Sequence, residues 1–122
     1  MKICLTSVSE NLDGEIDSRF GRCKYFIVVD PKSMSFKSIQ NLANTSGSGA
    51  GIQAAQTLVN ENVNILITGN VGPKAFHALS MAGIKIITGV SGKMRKAIEN
   101  YNDGLLSATE KPSVGEHFGL NY

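Results

Sequence analysis

The chain has 122 residues, of which 42% are hydrophobic and 18% charged, and its formal net charge is +2. This length suits one domain with its own core and is too short for two. The small net charge argues against a nucleic-acid partner, because a nucleic-acid-binding face needs concentrated basic residues. No apolar run approaches the roughly 18 residues of a membrane-spanning helix, and no signal sequence is recognisable. We therefore expect a cytoplasmic protein without membrane contacts.

The first 40 residues predict three strands. Residues 2–6 and 25–30 are apolar and β-branched, and residues 34–40 alternate apolar and polar side chains as half-buried strands do. Asp30 and Pro31 suit the first two positions of a type I turn between the second and third strands. These three strands are expected to form an antiparallel meander.

The second half of the chain alternates predicted helices and strands. Apolar side chains recur at helical spacing before Asn62, before Gly83 and before Asn102. Apolar strands are predicted between these helices, at residues 64–68 and 85–88. Strand–helix–strand units require parallel pairing with right-handed crossovers. Strands four and five should therefore be parallel, and strand one should lie parallel beside strand four.

The element order β-β-β-α-β-α-β-α defines the expected fold class. It predicts an α/β protein with a five-stranded mixed sheet and helices on both faces, and it matches the ribonuclease-H-like three-layer topology. Residues 1–105 are expected to form this single domain. Hydrophobic periodicity is lost from Leu105 onward, which predicts that residues 106–122 form a mobile tail.

Three glycine-rich turns precede the predicted helices, at residues 47–51, 69–72 and 89–92. We expect them to gather at the edge formed by the carboxyl ends of the parallel strands, where open α/β sheets bind ligands. Helix N-termini at this edge would offer N–H groups and partial positive charge to an anion. Cations in the first turns of the helices also favour a nearby anion: Lys74, Lys93, Arg95 and Lys96.

The connection between the first two strands changes from acidic to basic along its length. It ends at residues 19–23, where Arg19, Arg22 and the thiol of Cys23 surround a glycine. Nearby cations would lower the pKa of Cys23, which makes it the more reactive thiol if it is exposed. Cys4 lies in a strand pattern and is expected to be a buried apolar residue. The two cysteines form no C-x-x-C pair, so we expect free thiols.

Motifs for catalysis and nucleotide binding are missing from the sequence. The glycine turns lack the spacing of G-x-G-x-x-G, of the P-loop and of the G-x-S-x-G nucleophile elbow. The first strand carries no carboxylate, which argues against a metal-dependent nuclease. His77 is expected at the surface of its helix, and His117 has no evident partners for a metal site. We therefore expect no enzymatic activity.

Three segments, residues 18–26, 49–55 and 67–75, resemble the motifs of a known family in the same order. Over about residues 1–105 the chain is similar to small single-domain members of the dinitrogenase iron–molybdenum cofactor biosynthesis family, the NifX-like proteins. The resemblance implies a ribonuclease-H-like fold without catalytic activity. It also implies, for some relatives, the binding or carriage of iron–sulfur cofactor precursors for nitrogenase. Family motif positions are matched by Arg19, Gly21, Gly49, Gly51, Gly69, Asn70, Gly72 and Gly89.

The expected function is therefore non-catalytic binding or carriage of an anionic iron–sulfur or iron–molybdenum cofactor, or of its precursor. The alternative is a regulatory module that binds a small anion or a nucleotide without metal. Expected partners are nitrogenase or iron–sulfur assembly proteins, and the chain is expected to be a monomer or a weak homodimer. The glycine turns, the cationic segment and the resemblance give these expected cofactor-binding residues: Arg19, Gly21, Arg22, Cys23, Ser46, Gly49, Gly69, Asn70, Gly72, Lys74, Gly89 and Gly92.

One position departs from the family pattern. Some relatives carry a histidine, a plausible cluster ligand, in the loop before the helix glycines, where this chain has Asn44, Thr45 and Ser46. The resemblance then implies that a cluster binds this chain more weakly, or that Cys23 serves as the metal ligand instead.

Overall fold

A computed structural model describes residues 1–44 and 49–112. This part of the chain forms a five-stranded mixed sheet and three α-helices, as predicted, and none of its helices is long and apolar enough to cross a membrane. The elements are β1 (Ile3–Ser7), β2 (Tyr25–Val29), β3 (Phe36–Gln40), α1 (Ala50–Asn60), β4 (Ile65–Ile67), α2 (Pro73–Met81), β5 (Lys85–Ile87) and α3 (Met94–Asn102).

The sheet has the strand order β3-β2-β1-β4-β5. β1, β2 and β3 form an antiparallel meander. β4 pairs parallel with β1, and β5 pairs parallel with β4. The predicted strand directions are thus confirmed. Because β1, β4 and β5 run in the same direction, their carboxyl ends open on one edge of the sheet.

The side chains of the central strands alternate between two cores. Cys4 of β1 and Leu66 of β4 lie in the core that α1 and α2 cover. Leu5 and Ile67, their neighbours in the chain, lie in the core beneath α3. Every residue of β1 is buried, as expected for a strand covered on both faces. Helices therefore cover both faces of the sheet, as the sequence predicts.

Local turns shorten two of the predicted elements. β3 begins at Phe36 rather than at residue 34, because Met34 has a φ of 64° and donates its N–H to the carbonyl oxygen of Asp30 at 2.8 Å. α1 ends at Asn60 rather than at residue 62, because Asn62 adopts a left-handed φ of 58°. Both residues belong to turns that a periodic pattern does not detect.

The boundaries of α2 follow from two residues with special backbone properties. Pro73 is its first residue, where the fixed φ of proline suits a helix and its missing N–H costs nothing. Gly83 follows the C-cap with a φ of 79°, which glycine adopts without a Cβ clash. The predicted end of this helix at Gly83 is confirmed.

The chain after α3 runs back along β5. Leu106 packs against the core beneath α3. The Thr109 N–H donates to the carbonyl oxygen of Ile86 at 2.7 Å, and the Thr88 N–H donates to Thr109 Oγ1 at 2.9 Å. The first residues of the predicted mobile tail are therefore held in place, because β5 is an edge strand whose backbone groups need partners. Residues 113–122 lie outside the described part of the chain.

Candidate functional site

The segments that follow β1, β4 and β5, together with the start of α1, form a surface that we call the carboxyl edge. Two of these segments pair like short strands: the Asn70 N–H donates to the carbonyl oxygen of Ser18 at 2.7 Å, and the Phe20 N–H donates to that of Asn70 at 3.2 Å. The Gly89 N–H donates to the carbonyl oxygen of Gly69 at 2.8 Å. The backbone thus brings the Arg19-to-Cys23 segment into contact with the Gly69 turn, and that turn into contact with Gly89.

Three glycines of the carboxyl edge let backbone segments pack closely. A Cβ on Gly21 would lie 3.0 Å from the Cα of Gly51, and a Cβ on Gly51 would lie 3.1 Å from the Cβ of Ala75. A Cβ on Gly69 would lie only 2.7 Å from the Cα and the carbonyl oxygen of Ser18. These glycines are therefore explained by contacts within the chain. Gly21 and Gly69 were instead expected from the sequence to be cofactor-binding residues, and Gly51 to match a family motif position.

α1 and α2 begin side by side at the carboxyl edge, on the same face of the sheet. Their N-caps are Gly49 and Gly72, which have no side chain that could cap the helix. A helix start carries N–H groups without intrahelical partners and a partial positive charge, which together suit an anion.

α3 begins at the same edge but on the opposite face. Its first N–H, that of Met94, donates to the carbonyl oxygen of Gly14 at 3.2 Å, and the Ile16 N–H donates to that of Gly92 at 2.9 Å. The loop at residues 14–16 therefore covers the start of α3. All three helices begin at this edge, but the sheet separates the start of α3 from the other two. Residues 47 and 48 of the first glycine turn lie outside the described residues.

Two of the cations in the first turn of α3 have acidic partners. Arg95 Nε donates to Asp13 Oδ1 at 2.8 Å, and Lys96 Nζ lies 3.3 Å from Glu99 Oε1. These exposed pairs contribute little to stability, but they offset positive charge on this face. Arg95 and Lys96 lie on the opposite face of the sheet from Lys74, which is in the first turn of α2.

The cations around the starts of α1 and α2 belong to two segments, residues 19–23 and the first turn of α2. Arg22 Nη1 donates to the carbonyl oxygen of Asn44 at 3.3 Å. Arg19 Nε lies 3.7 Å from Asp17 Oδ1, and the Arg19 side chain is partly exposed. Lys74 is exposed in the first turn of α2. Among the described residues these segments bring three cations together with the carboxylate of Asp17, so their summed formal charge is positive.

The Cys23 side chain is not exposed at the carboxyl edge, although the sequence analysis placed it among the cofactor-binding residues. Its side chain is fully buried in the core beneath α1 and α2, and its Sγ donates to the carbonyl oxygen of Phe20 at 3.8 Å. Burial raises the pKa of this thiol well above its usual range, and the nearby Asp17 carboxylate raises it further. The predicted lowering of the pKa by Arg22 and Lys24 is therefore wrong, because Cys23 points inward. Cys4 is buried as predicted, and burial raises its pKa too.

Within residues 1–44 and 49–112, no three or more His, Cys, Asp or Glu side chains are grouped to hold a metal ion. His77 is exposed on α2, as predicted. Ser46 and His117 lie outside the described residues. The described donors suit an anion held by charge and by N–H groups, and they do not form a set of metal ligands.

Buried polar residues near the carboxyl edge were not predicted from the sequence, and three of them are Thr6, Thr68 and Asn41. Thr6 is the last residue of the first predicted strand and Thr68 is the last residue of the fourth. Their Oγ1 atoms lie 2.8 Å apart. Thr6 Oγ1 donates to the carbonyl oxygen of Asp17 at 2.7 Å, which ties the first connection to β1. Asn41 follows β3 directly and is also buried. A polar residue at the carboxyl end of a predicted strand is the signal that could have identified all three.

Comparison with known proteins gives consistent matches. The sequence matches the profile of the dinitrogenase iron–molybdenum cofactor family over residues 1–104. The apo form of the orange protein from Desulfovibrio gigas is 40% identical and superposes with a TM-score of 0.90, covering 93% of this chain and 96% of that one. A candidate NifB protein from Thermotoga is 30% identical with a TM-score of 0.74, covering 93% and 98%.

A relative known from its sequence spans a similar length. An uncharacterised protein of Methanocaldococcus jannaschii is 27% identical over 114 residues, which are 90% of this chain and 97% of that protein. The profile match and the orange protein each cover most of the described fold, including the carboxyl edge. The chain belongs to the dinitrogenase iron–molybdenum cofactor family.

Proposed function

We propose that the chain binds and carries an anionic iron–sulfur or iron–molybdenum cofactor, or a precursor of one, at the carboxyl edge. The observation that carries this proposal is the meeting of two helix starts, those of α1 and α2, with the cationic segment at residues 19–22. Family membership supports the class of cargo. The existence of an apo form of the orange protein supports a fold that accepts a removable group.

The electrostatics of this surface favour a negatively charged, sulfur-rich cargo. Each helix start contributes about half a positive charge, and Arg19, Arg22 and Lys74 belong to the segments around them. Sulfide and molybdate oxygen atoms accept hydrogen bonds from backbone N–H groups and from guanidinium groups. An anion at this surface would therefore be held by several charge-assisted contacts.

We propose that these contacts hold the cargo without a bond from the protein to the metal. Cys23, the ligand expected from the sequence, is buried, and its thiol would become available only if the turn at Phe20–Arg22 opened. The reconstitution experiment below also tests the alternative, in which Cys23 is a metal ligand, by comparing the wild type with Cys23→Ala. Ser46 and the loop around it remain proposed contributors, because they directly precede α1 in the chain.

We also propose that the chain delivers its cargo unchanged, in the cytoplasm, to nitrogenase or iron–sulfur assembly proteins. The family description supports partners of this kind. We further assign the sheet to the ribonuclease-H-like class, an assignment supported by its strand order and by three antiparallel strands preceding two parallel ones.

Anaerobic reconstitution tests the proposal. The purified chain is incubated with ferrous iron, sulfide and molybdate, desalted, and analysed for iron, molybdenum, sulfide and visible absorption. We expect stoichiometric uptake with charge-transfer absorption in the visible range. Failure of the wild-type chain to retain metal would overturn the proposal. Retention by Cys23→Ala at the wild-type level would support holding without a thiolate, and loss would assign Cys23 as a ligand.

A matched pair of charge variants locates the site. Arg22→Gln removes a cation beside α1, and Arg95→Gln removes one from α3, where it pairs with Asp13. Both variants lower the net charge equally, so a non-specific charge effect would weaken uptake equally. We expect Arg22→Gln to weaken retention and Arg95→Gln to leave it unchanged. Equal behaviour would show that the cargo lies elsewhere.

A small-anion regulatory module is the second candidate, because the same cations and helix starts would also hold phosphate or sulfate. A thermal-shift screen with phosphate, sulfate, molybdate and nucleotides tests it. A ligand at 100 times its Kd stabilises the folded state by about 2.7 kcal/mol. Stabilisation by a metal-free anion, without metal uptake in the reconstitution, would favour this candidate.

A further inference from the structure

We infer that Asn41 is the positioning residue that fixes Arg22 and the turn at residues 41–44 relative to each other. This inference rests on the proposed function and adds to it a residue that need not touch the cargo. Asn41 follows the last residue of β3 and is 3% exposed. Its side chain is therefore almost completely removed from solvent, at the base of the carboxyl edge.

The side-chain amide of Asn41 connects two segments of the site. Its Nδ2 donates to the carbonyl oxygen of Gly21 at 3.2 Å and to that of Cys23 at 2.9 Å. Its Oδ1 accepts from the Ala43 N–H at 3.1 Å. Both amide protons and one acceptor site are thus used, with the two donors directed at the carbonyl groups on either side of Arg22.

Backbone hydrogen bonds complete the connection. The Asn41 N–H donates to the carbonyl oxygen of Lys24 at 2.9 Å, and the Asn44 N–H donates to that of Asn41 at 3.3 Å. The carbonyl oxygen of Asn44 in turn accepts from Arg22 Nη1. Asn41 therefore holds two segments in place. One is the backbone on either side of Arg22, and the other is the turn whose Asn44 carbonyl oxygen accepts from the Arg22 guanidinium.

The arrangement demands asparagine. Two adjacent carbonyl oxygens require two N–H donors on one short side chain, and the Ala43 N–H requires an acceptor beside them. Aspartate has the same shape but would direct a carboxylate oxygen at the two carbonyl oxygens. Alanine would leave all three backbone groups without their partner. In either case the Arg22 segment and the 41–44 turn lose their common anchor.

The consequence for cargo binding follows from the contact between Gly21 and Gly51. The turn that carries Arg22 packs on the first turn of α1 with no room for a methyl group. A shift of this turn moves the Arg22 charge relative to the α1 start. Loss of one charge-assisted hydrogen bond to a bound anion weakens binding by about 10- to 100-fold.

The test uses Asn41→Ala, with Asn102→Ala as the matched control. Asn102 Nδ2 donates to the carbonyl oxygen of Pro31 at 3.0 Å, at the opposite end of α3 from the carboxyl edge. Both variants remove an amide that donates to the backbone, but only one lies at the site. Each chain is loaded with ferrous iron, sulfide and molybdate, and loss of iron to an excess of a chromogenic iron chelator is timed.

We expect Asn41→Ala to lose iron up to about 10- to 100-fold faster than the wild type, and Asn102→Ala to match the wild type. Because Asn41 acts through Arg22, we expect little further effect of Asn41→Ala in an Arg22→Gln background. A purely structural role would accelerate iron loss by the same factor in both backgrounds. That result, or a wild-type rate for Asn41→Ala, would overturn the inference. If Asn41→Ala does not fold, Asn41→Ser replaces it.

Amide hydrogen exchange separates this inference from the proposed function. We expect the Arg22 and Asn44 amides to exchange faster in metal-free Asn41→Ala than in metal-free Asn102→Ala, beyond any change in global stability. Unchanged local exchange would overturn the inference whatever the chain carries. If the wild type retains no metal while local exchange increases, the proposed cargo is wrong and the positioning role of Asn41 stands.

Discussion

Replacement of Gly69 by alanine should destabilise the fold through a backbone clash. The added Cβ would lie 2.7 Å from both the Cα and the carbonyl oxygen of Ser18. An ordinary contact begins at 3.4 Å, so these backbone atoms must separate by roughly 0.7 Å. The same carbonyl oxygen accepts the Asn70 N–H at 2.7 Å, and this displacement would stretch that hydrogen bond beyond its normal range.

The expected cost of Gly69→Ala is about 2–3 kcal/mol, from overpacking and a weakened hydrogen bond. For a domain of this size it corresponds to a fall in Tm of roughly 10 °C or more. Urea denaturation followed by circular dichroism measures the free energy of unfolding, and differential scanning calorimetry measures Tm.

Gly49→Ala is the control, because the nearest neighbour of a Cβ there is Gln53 Nε2 at 3.7 Å. This change at the N-cap of α1 should cost less than about 1 kcal/mol. If Gly69→Ala is as stable as Gly49→Ala, the close backbone packing between the Gly69 turn and Ser18 is refuted.

Three further predictions concern the reactivity of the two thiols, the hydrogen bond between the two buried hydroxyl groups, and the free energy of unfolding at acidic pH. Cys4 and Cys23 should both resist a disulfide reagent at pH 8 in the folded chain and react after denaturation, because burial raises the pKa of each thiol; fast labelling of either would contradict their burial. Thr68→Val should lower the free energy of unfolding in urea by about 0.5–1.5 kcal/mol, since it removes the hydrogen bond to Thr6; unchanged stability would argue against that bond. Two backbone N–H groups lower the pKa of Asp30, so its contribution to stability is present above roughly pH 3.9 and is lost as the pH falls through the lowered value. The difference in unfolding free energy between wild type and Asp30→Ala should therefore shrink in acid, and a constant difference would contradict this assignment.

Much of the carboxyl edge follows from the order of elements in the chain. Parallel strands joined by helices must place their carboxyl ends on one edge, which is how Gly69 and Gly89 could be predicted to lie close together. The role of Gly69 could not be predicted in the same way. Its neighbour, Ser18, comes from a connection without periodic structure, so no local pattern shows that the two backbones touch.

Cys23 shows where reasoning from neighbours in the sequence fails. Arg22 and Lys24 flank it along the chain, which suggested a lowered pKa and, if the thiol were exposed, the more reactive of the two cysteines. In an extended segment, however, successive side chains point in opposite directions, and here the thiol enters the core while Lys24 is exposed. The direction of the side chain, and with it the sign of the pKa shift, depends on tertiary packing.

The sequence by itself determined the element order, the strand directions and the family, because hydrophobic periodicity, glycine and proline act locally and the family motifs are linear. Only the tertiary structure decided which helix starts share a face, which cations have acidic partners and which polar side chain joins separate segments. Asn41 illustrates the difference, since its partners at Gly21 and Cys23 lie some twenty residues away in the chain. Such contacts depend on how the sheet folds, and a side chain acquires them only when distant segments are brought together.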